Sequence, residues 1–272
     1  MVQNDFPGRD EEQRLALLAH GFKDPLNNLQ TVLQMLEEGV RKDCAKKYPA
    51  DYQPLFAVGQ HSVYRVLRLA GNLVDADRLA AGCLTPNLEN LDLAAQAERC
   101  VTQAAAYAAL RGVKMTFTCE AERPFPVLCD ARLMDRALLN LLSNALRHVP
   151  AAGGAVRVTL HRRQGDALLT VEDNGGGISA EAMPHLYEKY WHGRENEADS
   201  VYGTGLGLYI VRELLRLHGG DVSACNTRSG AAFTLSLPRM SGAAAERLAG
   251  QGTGYQADQQ ASAVRVELCD FL

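Results

Sequence analysis

The chain has 272 residues, 47% apolar and 22% charged, ordinary values for a globular protein with room for one large domain or two small ones. Its 28 basic and 32 acidic residues leave a formal net charge of −4, so no positive field draws it to nucleic acid or an anionic membrane. No apolar run is long enough to span a bilayer, and the acidic opening MVQNDFPGRDEEQ lacks the apolar stretch of a signal peptide. The expectation is a cytoplasmic protein with no membrane span in this chain and no nucleic-acid partner. Cysteines at 44, 83, 100, 119, 129, 225 and 269 form no CxxC pair, which points to scattered reduced thiols rather than structural zinc.

After a short tail, residues 1–10, apolar side chains recur at Leu15, Leu18, Phe22, Leu26, Leu29, Leu33, Leu36 and Val40. Steps of three and four are the helical period. The segment Asp43–Pro54 holds two prolines and charges without a period and reads as the turn of a hairpin. A second helical pattern runs from Leu55 through Val58, Val66, Leu69, Leu73 and Ala76 to Leu79. Two long helices cannot bury both stripes alone, so residues 11–83 are expected to pair with a second copy as a dimeric four-helix bundle.

Residues 84–92 change character and read as a linker. From 93 to about 240 the pattern is mixed. A helix is expected near 91–110, strands at 113–119 and 126–129, a helix at 131–148, and strands at 155–163 and 167–173. A polar lid follows at 179–202, a helix at 205–218, and strands at 221–226 and 231–237. Strands and helices without a strict βαβ rhythm indicate an α+β chain, here an α/β sandwich with helices on one face of a mixed sheet. Residues 241–272, rich in Ala, Gly and Gln, read as disordered, with VRVELCDFL offering a strand at the end.

Three segments of the mixed region carry candidate chemistry. In RALLNLLSNALRH, Asn140 and Asn144 are four apart and share a helix face. A neutral amide offers oxygen to Mg²⁺ without adding charge beside phosphates, although solvated helix asparagines give the same pattern. In LLTVEDNGGGIS, a strand delivers Asp173 to Gly175, Gly176 and Gly177. Glycines allow close approach to a flat ring, and Asp173 can accept from an exocyclic amine; an ordinary DNG turn is the plain alternative. YGTGLGLYIVRELLRLHGG places Gly203, Gly205 and Gly207 before an apolar helix, whose N-terminal amides suit phosphate. No Lys-Ser/Thr follows, so it is not a Walker A loop.

In order and spacing the three segments resemble the ATPase domain shared by histidine kinases, gyrases and a class of chaperones. NLLSNALRH is similar to the N box, DNGGGI to the first glycine box and GTGLGLYIV to the second. LYEKYWHG is similar to the aromatic F box, with Tyr187 and Tyr190 where phenylalanine is usual. The resemblance implies ATP and Mg²⁺ as cofactors. It assigns Asn140 and Asn144 to Mg²⁺ and phosphate, Arg147 and Lys189 to phosphate, and Asp173 to adenine. Gly175 and Gly177 shape the adenine turn, and Gly203, Thr204, Gly205, Leu206 and Gly207 wrap the triphosphate.

AHGFKDPLNNL, residues 19–29, is similar to the H box of two-component sensor histidine kinases: His20, Lys23, Pro25 and Leu26 match, while Gly21 and Asp24 depart. The resemblance implies a protein-histidine kinase that phosphorylates His20 and passes the phosphate to an aspartate on a response-regulator receiver domain, working as a homodimer through the hairpin. In the family a carboxylate follows the histidine directly. Here Asp24, one helical turn after His20, is the candidate to orient the imidazole instead. Two alternatives share the ATPase fold. One is an ATP-binding pseudokinase, phosphatase or docking module lacking efficient autokinase activity because of Gly21. The other is a serine kinase or anti-sigma factor, which the long hairpin argues against.

Overall fold

A computed structural model describes residues 22, 25–36, 38–39, 53–120, 123–191, 204–238 and 263–271. His20, Asp24 and Gly203 lie outside the described residues.

Residues 22, 25–36 and 38–39 are helical and make up α1, in which Pro25 is buried. Helix α2 spans Gln53–Ala80, its Pro54 in the first turn where a missing N–H costs nothing. The two meet closely: a Cβ placed on Gly59 of α2 would stand 3.3 Å from Val32 Cγ1 of α1. Residues 84–88 carry no regular structure, but the rest of the expected linker is a strand, β1 (Glu89–Asp92), paired antiparallel with β3 (Pro126–Cys129). Only Leu91 of β1 is buried, which is why the polar ENLD stretch carries no strand pattern of its own.

Three helices, α3 (Leu93–Leu110), α4 (Ala131–His148) and α5 (Gly207–Leu217), accompany a five-stranded sheet. The sheet holds β2 (Lys114–Cys119), β4 (Ala155–Arg163), β5 (Asp166–Asp173), β6 (Asp221–Asn226) and β7 (Ala231–Pro238) in the order β2-β4-β5-β7-β6. β2 runs parallel to β4 and all other pairs are antiparallel, so the sheet is mixed as expected. Val156, Val158 and Leu160 of β4 and Ala167, Leu169 and Val171 of β5 alternate inward, the period of two of a half-buried sheet. They meet Leu138, Leu142 and Leu146 of α4 and Val211, Leu214 and Leu215 of α5 in one core.

Caps fix where the helices begin. Asp92 accepts from the amide of Ala94 (3.1 Å) and also from that of Phe125 (2.9 Å). Asp130 accepts from the amides of Arg132 (3.0 Å) and Leu133 (3.2 Å). Each such cap is worth about 1 kcal/mol. His218 accepts from the Asp130 amide through Nε2 (3.0 Å) and donates from Nδ1 to the Leu214 carbonyl (2.7 Å). It is a neutral histidine stitching the end of α5 to the start of α4.

The end of the chain departs from expectation. Residues 263–267 are helical and Cys269–Phe271 form a 3-10 turn. Val264, Leu268 and Phe271 join the main core, so the segment is neither a strand nor disordered. Val264, Glu267, Leu268 and Phe271 are buried at the i, i+3, i+4, i+7 spacing of a helix, with Cys269 buried beside them. The alternating VRVEL stretch fits a strand equally well, and packing against α2 and α3 decides between them.

Candidate nucleotide site

The site is built where α4, the end of β5 and the start of α5 converge. Asn140 is buried on α4, its Nδ2 donating to the Arg136 carbonyl (2.9 Å). That bond fixes the amide and turns its Oδ1 toward α5: a Cβ on Gly207 would lie 3.0 Å from it. A glycine is what lets the helix start approach this oxygen. Asn144, one turn on, is half-buried.

Asp173 ends β5 and is 4% exposed. Its Oδ1 accepts from the amides of Gly175 (2.8 Å) and Ala231 (3.3 Å), so the carboxylate is held rigidly at the base of the glycine turn. Both bonds use Oδ1, and Oδ2 keeps its acceptor capacity. A Cβ on Gly175 would stand 2.5 Å from the His148 carbonyl oxygen, so any other residue would push the turn off the end of α4. Gly177 has φ of 74°, in the left-handed region. The turn is pinned from a distance by Asn226, which accepts from the Ile178 amide (2.6 Å) and donates to its carbonyl (2.8 Å).

The second glycine segment begins its helix later than expected, at Gly207 rather than 205, because Gly205 sits at φ 63°. Its carbonyl accepts from the Tyr190 amide (3.0 Å), and a Cβ there would come within 2.7 Å of the Tyr190 carbonyl carbon. The GTGLG loop is thus sewn to the foot of the lid. Lys189 carries its ammonium 4.6 Å from the centre of the Tyr209 ring, beside the first turn of α5. Tyr187 is half-buried under Arg212, and burial pushes its phenol up to about 12, so it stays neutral. The described part of the lid, 179–191, contains a 3-10 turn at Met183–His185.

The helix starts differ in one respect that matters for ligand chemistry. α3 and α4 have aspartate caps, whereas Leu206 before α5 is a buried leucine that makes no side-chain cap bond. The first amides of a helix have no intrahelical partner, and among the described residues no side chain caps them here. Together with the positive end of the helix dipole they form an anion site beside Asn140.

Sequence reasoning gathered Asn140, Asp173, Gly175, Gly177, Lys189, Thr204, Gly205, Leu206 and Gly207 by motif, and these nine fall on four segments: α4, the glycine turn, the 179–191 stretch and the loop leading into α5. Arg147 behaves differently. Its guanidinium bonds Asp270 Oδ2 (3.0 Å), and Ser143 Oγ lies at 3.5 Å. The residues missed were Asn226 and Gly230, which back the Asp173–Ile178 turn from the β6–β7 hairpin; nothing in their local sequence marks them.

Residues 129–241 match the family described as Histidine kinase-, DNA gyrase B-, and HSP90-like ATPase. The "Signal transduction histidine-protein kinase AfsQ2" of Streptomyces coelicolor is 32% identical over 86% of this chain and 43% of its own length. "Sensor protein ChvG" of Rhizobium meliloti is 30% identical over 84% of this chain and 40% of its own. The chain therefore spans about two fifths of the length of these relatives. The structure of "Acinetobacter baumannii histidine kinase AdeS" has the same fold at a TM-score of 0.61, covering 82% of this chain and 98% of that one at 22% identity. The region 129–241 is a histidine kinase-, gyrase- and HSP90-type ATPase domain. With the helices that precede it, the chain has the catalytic core of a two-component sensor histidine kinase.

Proposed function

We propose that the chain is an ATP-dependent protein-histidine kinase that phosphorylates His20 and transfers the phosphate to an aspartate of a response-regulator receiver domain. The observation that carries this reading is that α4 borders both parts: Asn140 faces the uncapped start of α5, and His148 at its end abuts the glycine turn that Asp173 holds. Asp173 Oδ2 accepts from the adenine amine, with Gly175 and Gly177 leaving room for the ring. The α5 amides and the Gly203–Gly207 loop hold the phosphates, and Lys189 closes from the lid.

Mg²⁺ fits the donor set. Asn140 presents a fixed neutral oxygen beside the helix start, and Asn144 lies a turn away on the same helix; a hard cation takes such amide oxygens together with phosphate oxygens. When bound, the ion supplies charge neutralisation at the transferring phosphoryl group. The His20 imidazole is the nucleophile, and it must be neutral to attack. Asp24, four residues on in the sequence, orients it and supports the cation that results. Catalysis then rests on positioning, because a loose phosphoryl transition state needs little covalent help.

Exposed apolar side chains support the homodimer. On α2, Phe56, Val63, Leu67 and Val74 are solvent-exposed at spacings of seven, four and seven, one continuous helix face. Leu26 and Leu33, seven apart on α1, are exposed too. A second hairpin covers such a stripe in a four-helix bundle.

Incubation with γ-labelled ATP and Mg²⁺ tests the transfer. The expected product is an acid-labile, alkali-stable label that is lost completely in His20→Gln. Nucleotide binding without any label would contradict phosphotransfer by this chain.

A further inference from the structure

Arginines from two parts of the fold converge on one carboxylate at the end of the chain. Asp270, 4% exposed at its side chain, accepts from Arg68 of α2 at 2.5 Å and Arg147 of α4 at 3.0 Å, with Arg65 of α2 at 3.7 Å. Arg68 also donates to the Glu267 carbonyl (3.1 Å). Buried Glu267 pairs with Arg136 of α4, which in turn donates to Asn72 (2.8 Å) and Asp75 (3.1 Å) of α2. Phe271 lies under Arg111, whose guanidinium stands 5.1 Å from the ring centre and donates to the Leu146 carbonyl (3.0 Å). Residues 263–271 therefore bridge α2 to the ATPase domain: the Asp270 carboxylate contacts both, and Glu267 meets α4 through its carboxylate and α2 through its backbone carbonyl.

We propose that residues 263–271 are an intramolecular latch that clamps α2 to the ATP-binding domain and holds Arg147 in an ion pair which nucleotide phosphate must displace. The inference rests on the reading of Arg147 as a phosphate ligand and of His20 as the acceptor. Arg147 has one guanidinium, and a carboxylate and a phosphate compete for the same donors. Burial foremost, and Arg68 next, push the Arg147 pKa down to about 10, against the pull of Asp270. For Asp270, burial acts to raise its pKa, but Arg68, Arg147 and Arg65 outweigh it and hold it below the usual carboxylate range. Removing that carboxylate leaves three guanidinium groups close together without their shared partner, which favours departure of the segment. Departure is possible without opening the sheet, since residues 239–262 separate the segment from the end of β7. A rigid α2 also fixes the distance between bound ATP and the hairpin that carries His20; release frees the domain to reach it.

The test uses the full chain with Asp270→Asn and, as the conservative control, Asp270→Glu. Three quantities are read: affinity for a fluorescent ATP analogue, initial rate of phosphohistidine formation, and amide exchange across α2. Asp270→Asn is expected to bind the analogue more tightly and to form phosphohistidine about tenfold faster, the change that about 1.4 kcal/mol produces. Exchange along 53–80 should quicken, with Asp270→Glu staying near wild type. Unchanged affinity and unchanged exchange in Asp270→Asn would overturn the latch. So would loss of the cooperative thermal melt, which would make the segment an integral part of the core. If wild type and variants all lack phosphohistidine while affinity and exchange shift as expected, the latch stands and the phosphotransfer reading falls.

Discussion

Asp173→Asn is expected to weaken ATP binding by about a hundredfold, roughly 2.7 kcal/mol, while leaving the fold intact. The reason lies in how the two carboxylate oxygens are used. Oδ1 accepts from the Gly175 and Ala231 amides, and an asparagine carboxamide oxygen can keep both bonds. The remaining atom then becomes an NH₂ donor facing the adenine amine, donor against donor. A calorimetric titration with ATP, alongside a thermal melt, separates the two roles. A large affinity loss with a small melting shift is the expected pair; equal affinity for wild type and variant would remove Asp173 from the adenine site. Alanine would be a poorer probe, since it abandons the turn as well.

Gly205→Ala is expected to damage both the phosphate loop and the lid. At φ 63° an L-residue costs about 1–2 kcal/mol before any contact is considered. The added Cβ would also press within 2.7 Å of the Tyr190 carbonyl carbon and 2.8 Å of the Trp191 carbonyl oxygen, backbone atoms that cannot rotate away. The loop must shift, and the Tyr190–Gly205 bond is lost with it. ATP affinity should fall at least about tenfold, in line with that strain. Faster proteolysis within 179–202 should accompany it. A variant with wild-type affinity and cleavage pattern would show that the loop and the lid are not coupled through this residue.

The local elements of the candidate site were legible because each is contiguous in sequence. Asp173 with its glycines, and the GTGLG loop with its helix, are each set by local geometry: a strand end, a positive φ, a helix start. The sheet elements were legible for a related reason, since β4 and β5 alternate cleanly over nine and eight residues. What escaped has no local mark. Asn226 holds Ile178 across a gap of 48 residues, and no pattern near Asn226 announces it. β1 was taken for linker because one buried leucine among polar residues is no stripe. The end of the chain was misread because Ala, Gly and Gln upstream dilute its composition, while VRVEL alternates as a strand would. Only the arginines of α2 and α4, far away in sequence, make Asp270 and Glu267 tolerable inside the protein. Arg147 shows the same limit from the other side: its motif implies phosphate, and its partner in the fold is a carboxylate.

The central claim is that ATP binds between the Asp173 turn and the start of α5. Amide hydrogen exchange of the full chain, with and without saturating ATP and Mg²⁺, tests it most directly. The account predicts slowed exchange concentrated at residues 173–178 and 204–210, with weaker protection along the lid. Saturable binding that leaves both segments exchanging at their unliganded rates would contradict it.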